Sequence, residues 1–226
     1  MIPSTTQCSS KRIACILFDL DGTLLDTAPD LIHALNAVKR WDNETPLPAH
    51  QLRPLVSHGS LALLKFAFPQ QSDSDLQRRQ QYFLRQYAEN IKIDTTLFAG
   101  MSQVLNELQQ RQIPWGIVTN KPSFLTHKLL AAMQLDHAVC SVICGDTLAV
   151  NKPDPLPLLT AAKECGVEPT RCLYIGDAER DIQAARAAKM PNLLARYGYI
   201  ATDDAIDTWQ ADHIIDSPLA ILDYLV

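Results

Sequence analysis

The chain has 226 residues, enough for one generous domain or for a core carrying a smaller insertion, and enough to bury its own core without disulfides. Its net charge of −5 comes from acids and bases that are interspersed, with no Lys/Arg run. That pattern argues against a nucleic-acid or anionic-membrane surface and requires any anion site to be built locally. The polar opening MIPSTTQCSSKR lacks the apolar h-region of a signal peptide, and no stretch approaches the roughly 20 apolar residues that span a bilayer. Six cysteines (Cys8, Cys15, Cys140, Cys144, Cys165, Cys172) form no CxxC pair and mostly sit in apolar runs. The expectation is a soluble, cytoplasmic protein with reduced, mostly packed cysteines and no indicated protein partner.

Taken in chain order, short β-branched apolar runs alternate with stretches of helical period. IACILF (13–18) reads as a first strand that ends where the polar cluster 19–23 begins. A helix follows from Thr27, with Thr27 or Asp26 as cap, Pro29 and Asp30 in the first turn, and Leu31, Leu35 and Val38 on one face. Further helices are expected over 61–68 and 76–89, and no convincing strand falls in 26–98. A helix over 100–110 precedes the strand WGIVT (115–119), and a helix over 122–133 precedes VCSVIC (139–144). A helix over 155–165, ended by Gly166, leads to the strands CLYIG (172–176), NLLAR (192–196) and DHIID (212–216). The alternation implies an α/β fold, a doubly wound parallel sheet, with a core of 1–25 and 99–226. The segment 26–98 reads as a small helical cap domain inserted into that core.

Four polar clusters follow expected strands: DLDGT at 19–23, TNK at 119–121, NKPDP at 151–155 and GDAERD at 176–181. A doubly wound sheet brings strand ends to one edge, so these distant clusters converge. Asp19 and Asp21, separated by one apolar residue and followed by Gly22, are a carboxylate pair suited to phosphoryl transfer. One attacks phosphorus while the other gives a proton to the leaving oxygen and later takes one from water. A dianionic substrate beside such a pair needs a hard cation with oxygen ligands, most plausibly Mg²⁺, with Asp177 and Asp181 available to hold it. Lys152 and Thr119 supply a positive charge and a hydroxyl donor to the phosphoryl oxygens.

On these four clusters the sequence resembles the haloacid dehalogenase superfamily over nearly all of the chain outside the cap. The segment FDLDGTLLDT is similar to the first motif of that family, which implies Asp19 as nucleophile and Asp21 as general acid/base. The resemblance further implies Mg²⁺ ligation by Asp19, the Asp21 carbonyl and Asp177, with Asp181 supporting the site. Thr119 falls on the second motif and Lys152 on the third, and Asn120 is expected at the phosphate. The dehalogenases of the family lack an acid at the position of Asp21, so its presence favours phosphate chemistry.

The cap segment QLRPLVSHGSLALL should choose the substrate, a small phosphorylated metabolite. Arg53 is expected to grip a second anionic group, and Ser57, His58 and Gly59 to form a polar turn. The Arg-x-x-Val-Ser-x-Gly pattern, WGIVTNKP and RYGYI resemble the N-acetylmuramic acid 6-phosphate phosphatases of cell-wall recycling, which makes that sugar phosphate the expected substrate. Phosphoglycolate is the alternative, although phosphatases for it usually carry glycine where Ser57 stands. A sugar phosphomutase would keep every core motif, and a phospho-receiver domain shares the acid cluster, Thr and Lys but lacks a cap-sized insertion.

Overall fold

The structure, a computed structural model, describes residues 12–225; Cys8 lies outside the described residues. At its centre is β1 (Cys15–Phe18), buried along its whole length. Cys15 and Leu17 join one apolar cluster with Leu158, Ala161 and Tyr174, whereas Ile16 and Phe18 join another with Val104, Ile117 and Leu129. Side chains alternate across a strand, so covering both faces demands an unbroken apolar run such as CILF.

All six strands of the main sheet run parallel, in the order β5-β4-β1-β6-β7-β8, with β4 at Trp115–Val118, β5 at Val142–Ile143, β6 at Cys172–Gly176, β7 at Asn192–Ala195 and β8 at His213–Ile215. The chain winds outward from β1 to β4 and β5, then crosses to β6 and continues to β7 and β8. The winding reverses between β1 and β6, the place where open α/β sheets leave a crevice at the carboxyl ends of their strands. Helices α5 (Met101–Gln110), α6 (Ser123–Met133), α7 (Leu156–Glu164) and α8 (Glu179–Ala187) make the crossovers of this sheet.

A second, two-stranded antiparallel sheet, β2 (Leu25–Asp26) with β3 (Thr96–Leu97), stands in a region where the sequence suggests no strand. Between its strands lie α1 (Ala28–Trp41), α2 (Ala49–Leu52), a 3₁₀ segment (Arg53–His58), α3 (Ser60–Ala67) and α4 (Asp73–Glu89). Leu35, Val38, Leu63, Leu64, Phe83 and Tyr87 are fully buried, each worth roughly 1.5–3 kcal/mol on transfer from water. The exit of this segment is tied to its entry by Asp30, whose carboxylate accepts from the N–H groups of Ile93, Asp94 and Thr95 and from the Thr95 hydroxyl.

The cysteines depart from the sequence expectation. Cys140, just before the edge strand β5, is disulfide-bonded to Cys165 at the end of α7, with Cα atoms 5.4 Å apart. The register that sets β4 beside β5, together with the packing of α7 on both, brings these residues together across 25 positions of sequence. Cys15, Cys144 and Cys172 are free and buried, as expected.

Candidate active site

The Asp19 N–H donates to the Ile175 carbonyl at 2.8 Å, which extends the β1–β6 ladder and leaves the Asp19 side chain at the carboxyl edge of the sheet. There its Oδ1 lies 2.9 Å from Lys152 Nζ. The same ammonium lies 2.7 Å from Asp181 Oδ1 and donates to Val118 O at 2.7 Å and Tyr174 Oη at 2.8 Å. Asp177 follows the last residue of β6, and Asp181 sits in the first turn of α8, where its Oδ2 accepts from the Ala178 N–H at 3.0 Å. Carboxylate oxygens of Asp19, Asp177 and Asp181 lie within 4.8 Å of one another, all three residues being buried.

Burial, reinforced by Asp181 and resisted by Lys152, pushes the Asp19 carboxyl above its ordinary range. Burial, then Asp19 and Asp181, push Asp177 up to about 7. Asp181 moves the other way: burial opposes its charge, yet Lys152 and Arg180 hold it below the usual range. Lys152 and Arg180 thus offset part of the negative charge, and Asp177 is left strained by like neighbours. Such an all-oxygen, net-acidic donor set fits a hard divalent cation. Asp19 and Asp177 have more capacity for it than Asp181: Asp177 Oδ2 is taken by Ser57 and Tyr199 but its Oδ1 accepts only a 3.3 Å bond from the Thr23 hydroxyl, whereas both oxygens of Asp181 are engaged by Lys152, Tyr174 and Ala178.

Asp21 turns elsewhere. Its carboxylate accepts from Lys121 Nζ at 2.9 and 3.1 Å and from Thr27 Oγ1 at 2.7 Å, which leaves its backbone carbonyl, not its side chain, for a metal. Lys121 Nζ also donates to Tyr87 Oη of α4 at 2.9 Å. Directly after Asp21, Gly22 has φ +88°, and a Cβ there would run into the Asp177 carboxylate and the Tyr199 ring. A side chain at this position would therefore break the site directly.

Thr119 is buried at the end of β4, its N–H bonded to Ile143 O at 2.9 Å, and its hydroxyl accepts from the Lys121 N–H at 3.2 Å. Asn120 lines the same crevice, but its side chain is spent on the Lys152 backbone: Nδ2 donates to Lys152 O at 3.0 Å, and Oδ1 accepts from the Lys152 N–H at 3.2 Å. It sets the Lys152 loop in place.

Arg53 corrects the sequence expectation most clearly. Its guanidinium makes two 2.9 Å bonds to Asp26 and stacks 4.9 Å from the centre of the Tyr199 ring, and it does not line the crevice. Tyr199 Oη donates to Asp26 at 2.9 Å, so Arg53 and Tyr199 together clamp the end of β2. Ser57, by contrast, reaches the acid cluster, its hydroxyl donating to Asp177 Oδ2 at 2.7 Å. His58 and Gly59 line the crevice from above, and Gly59, at φ +85°, makes the turn into α3.

The crevice has a volume of about 390 Å³. Asp19, Asp21, Thr119 and Lys121 form its floor, and Val56, Leu63, Phe83 and Leu84 of the inserted helices form much of its wall. Sequence reasoning missed Lys121, Arg180, Gln80 and Ser60. Arg180 donates to Ser57 O at 2.6 Å, and Gln80 Nε2 to Ser60 Oγ at 2.9 Å on the wall. Lys121 and Arg180 stand inside the polar clusters 119–121 and 176–181, so their charge is a signal; Gln80, on a polar helix, offers none.

A parallel sheet that gathers acids, a lysine and a threonine at one carboxyl edge, beneath a helical insertion, defines a hydrolase of the phosphoryl-transfer class. The chain belongs to the haloacid dehalogenase-like hydrolases, a family it matches over residues 13–189, and it is a phosphatase. It is 44% identical over 203 residues to a phosphoglycolate phosphatase of Xylella fastidiosa, covering 90% of this chain and 89% of that one. It is 35% identical over 215 residues to the N-acetylmuramic acid 6-phosphate phosphatase of Pseudomonas aeruginosa, covering 95% of each. The crystal structure of a "predicted phosphoglycolate phosphatase" from Haemophilus somnus superposes with a TM-score of 0.84 at 26% identity, covering 93% of this chain and 97% of that one. Among the described residues no helix is long and apolar enough to cross a membrane.

Proposed function

We propose that this phosphatase hydrolyses N-acetylmuramic acid 6-phosphate in the cytoplasm, through a phosphoryl group carried on Asp19, with residues 26–98 as the cap that closes over the substrate. The observation that carries the choice of substrate is the crevice itself. A volume of about 390 Å³ with a wall of Val56, Leu63, Phe83 and Leu84 suits the body of a substituted sugar, whereas phosphoglycolate offers only a two-carbon acid to fill it. Arg53, the residue expected to hold a second small anion, is committed to Asp26.

Asp19 and Asp177, with the Asp21 carbonyl, would hold Mg²⁺, which when bound lowers the negative charge facing the phosphate. An Asp19 oxygen attacks phosphorus as the ester bond to the sugar oxygen breaks, and Asp21 gives that oxygen its proton. Asp21 then accepts a proton from the water that attacks the phospho-aspartate, releasing inorganic phosphate and restoring the Asp19 carboxylate. The Thr119 hydroxyl donates to a phosphoryl oxygen, Lys152 supplies positive charge at Asp19 where the phosphoryl group is carried, and Asn120 keeps Lys152 in place. Lys121 and Thr27 orient the Asp21 carboxylate. The cap excludes water while Ser57 and Arg180 bind it to the core.

Phosphoglycolate is the second reading, favoured by the higher identity to relatives of that name, 44% against 35%. Measuring kcat/KM for both compounds with Mg²⁺ decides between them. The proposal expects the sugar phosphate to be preferred by at least about tenfold, and a preference for phosphoglycolate overturns it.

A further inference from the structure

Sulfur atoms of Cys15, Cys140 and Cys165 lie within 4.8 Å of one another. Cys172 stands beside Cys15 as its register partner on β6. The four differ sharply in access: Cys15 and Cys172 are fully buried, Cys165 is half-buried and Cys140 is exposed. Cys140 and Cys165 are the pair with Cα atoms 5.4 Å apart, inside the range a disulfide needs. Their backbones are held there by a second link, since the Ser141 hydroxyl donates to Glu164 Oε2 at 2.6 Å. The loop closed between Cys140 and Cys165 contains Asn151 and Lys152, and α7, which is capped at its C-terminus by Cys165, begins four residues after Lys152.

We propose that Cys140 and Cys165 are a reversible oxidation site that takes small disulfides of the glutathione type, with Cys140 the sulfur that reacts first, and that closing it braces the loop presenting Lys152. The chemistry balances without a further oxidant. The Cys140 thiolate attacks one sulfur of the small disulfide, forming a mixed disulfide and expelling one small thiolate. The Cys165 thiolate then attacks the Cys140 sulfur, the bond to the second small thiol breaks, and that thiolate leaves; the two protons lost by the cysteines are taken up by the two departing thiolates. Reduction by excess small thiol runs the same steps backwards. Exposure makes Cys140 the entry point, and the preset spacing makes Cys165 the resolving partner. Cys15, fully buried between β4 and β6, is the neighbouring thiol the reagent cannot reach.

The test treats the reduced full-length protein with oxidised glutathione, then maps disulfides by mass spectrometry under non-reducing conditions and reads Tm and activity. The expected result is a Cys140–Cys165 link, a Tm raised by roughly 5–10 °C and reversal by reduced glutathione. Cys165→Ser should stop at glutathione on Cys140 with no rise in Tm, and Cys140→Ser should take up no glutathione at Cys165. Both reduced variants should keep wild-type turnover. The proposal is overturned if Cys140 and Cys165 stay unmodified in the folded protein, if Cys15 appears in the link, or if Cys165→Ser gains the same Tm on oxidation.

Discussion

Replacing Lys152 with methionine keeps the length of the side chain and removes its charge. In the native fold its side chain is fully buried, those of Asp181 and Asp19 are 0% and 4% exposed, and the ammonium touches both carboxylates. Its loss leaves three clustered acids with only Arg180 to answer them, and breaking a buried pair in this way costs about 3–5 kcal/mol. For a chain of this size that corresponds to a fall in Tm of roughly 6–20 °C. Urea or thermal unfolding of the metal-free variant at neutral pH reads the loss, and repeating it in acid, where Asp19 and Asp181 take up protons, should shrink it. A loss below about 1 kcal/mol, or one that does not change with pH, would show that Lys152 is not the counter-charge of this cluster.

Asp177 provides a pH signature in the metal-free protein. Its carboxyl is pushed up to about 7 in the fold against about 3.9 in the unfolded chain, so the folded state binds the extra proton and stability should fall as pH rises from about 4 to about 7. Asp19, raised by burial, adds to that fall, whereas Asp181, held down by Lys152 and Arg180, loses its contribution only below about pH 4. Tm against pH in a chelator should therefore decline toward neutrality, and added Mg²⁺ should flatten the decline; a rise over the same window contradicts the arrangement of acids. Arg53→Ala should cost about 1 kcal/mol, because its pair with Asp26 is part-exposed, and should change KM for either substrate by less than about threefold. A rise in KM above about tenfold for one substrate would return Arg53 to the binding site.

What the sequence made legible follows the strength of its local signals. CILF and CLYIG are buried on both faces, so unbroken apolar runs announced β1 and β6, and the acids that follow each of them fell where expected. The β2–β3 pair has two residues in each strand, too few for any period to show. Of VCSVIC only Val142 and Ile143 form β5, at an open edge of the sheet. Thr27 precedes α1 as expected, yet its hydroxyl caps nothing because it is given to Asp21, and Asp26 is taken by Arg53 and Tyr199. Here the candidate site claims the side chains that local propensity assigns to a helix end. The partners of Arg53, Lys121 and Cys140 lie 27, 100 and 25 positions away, and only the topology reveals them.

Asp19 is the residue proposed to carry the phosphoryl group. Turnover of N-acetylmuramic acid 6-phosphate with Mg²⁺ should be stopped in acid within the first catalytic cycle and the protein digested for mass spectrometry. The expected result is a phosphoryl group on the peptide containing Asp19, and neither label nor turnover in a folded Asp19→Asn variant. Phosphate released with no labelled peptide, a label on another residue, or near-normal turnover by Asp19→Asn would contradict it.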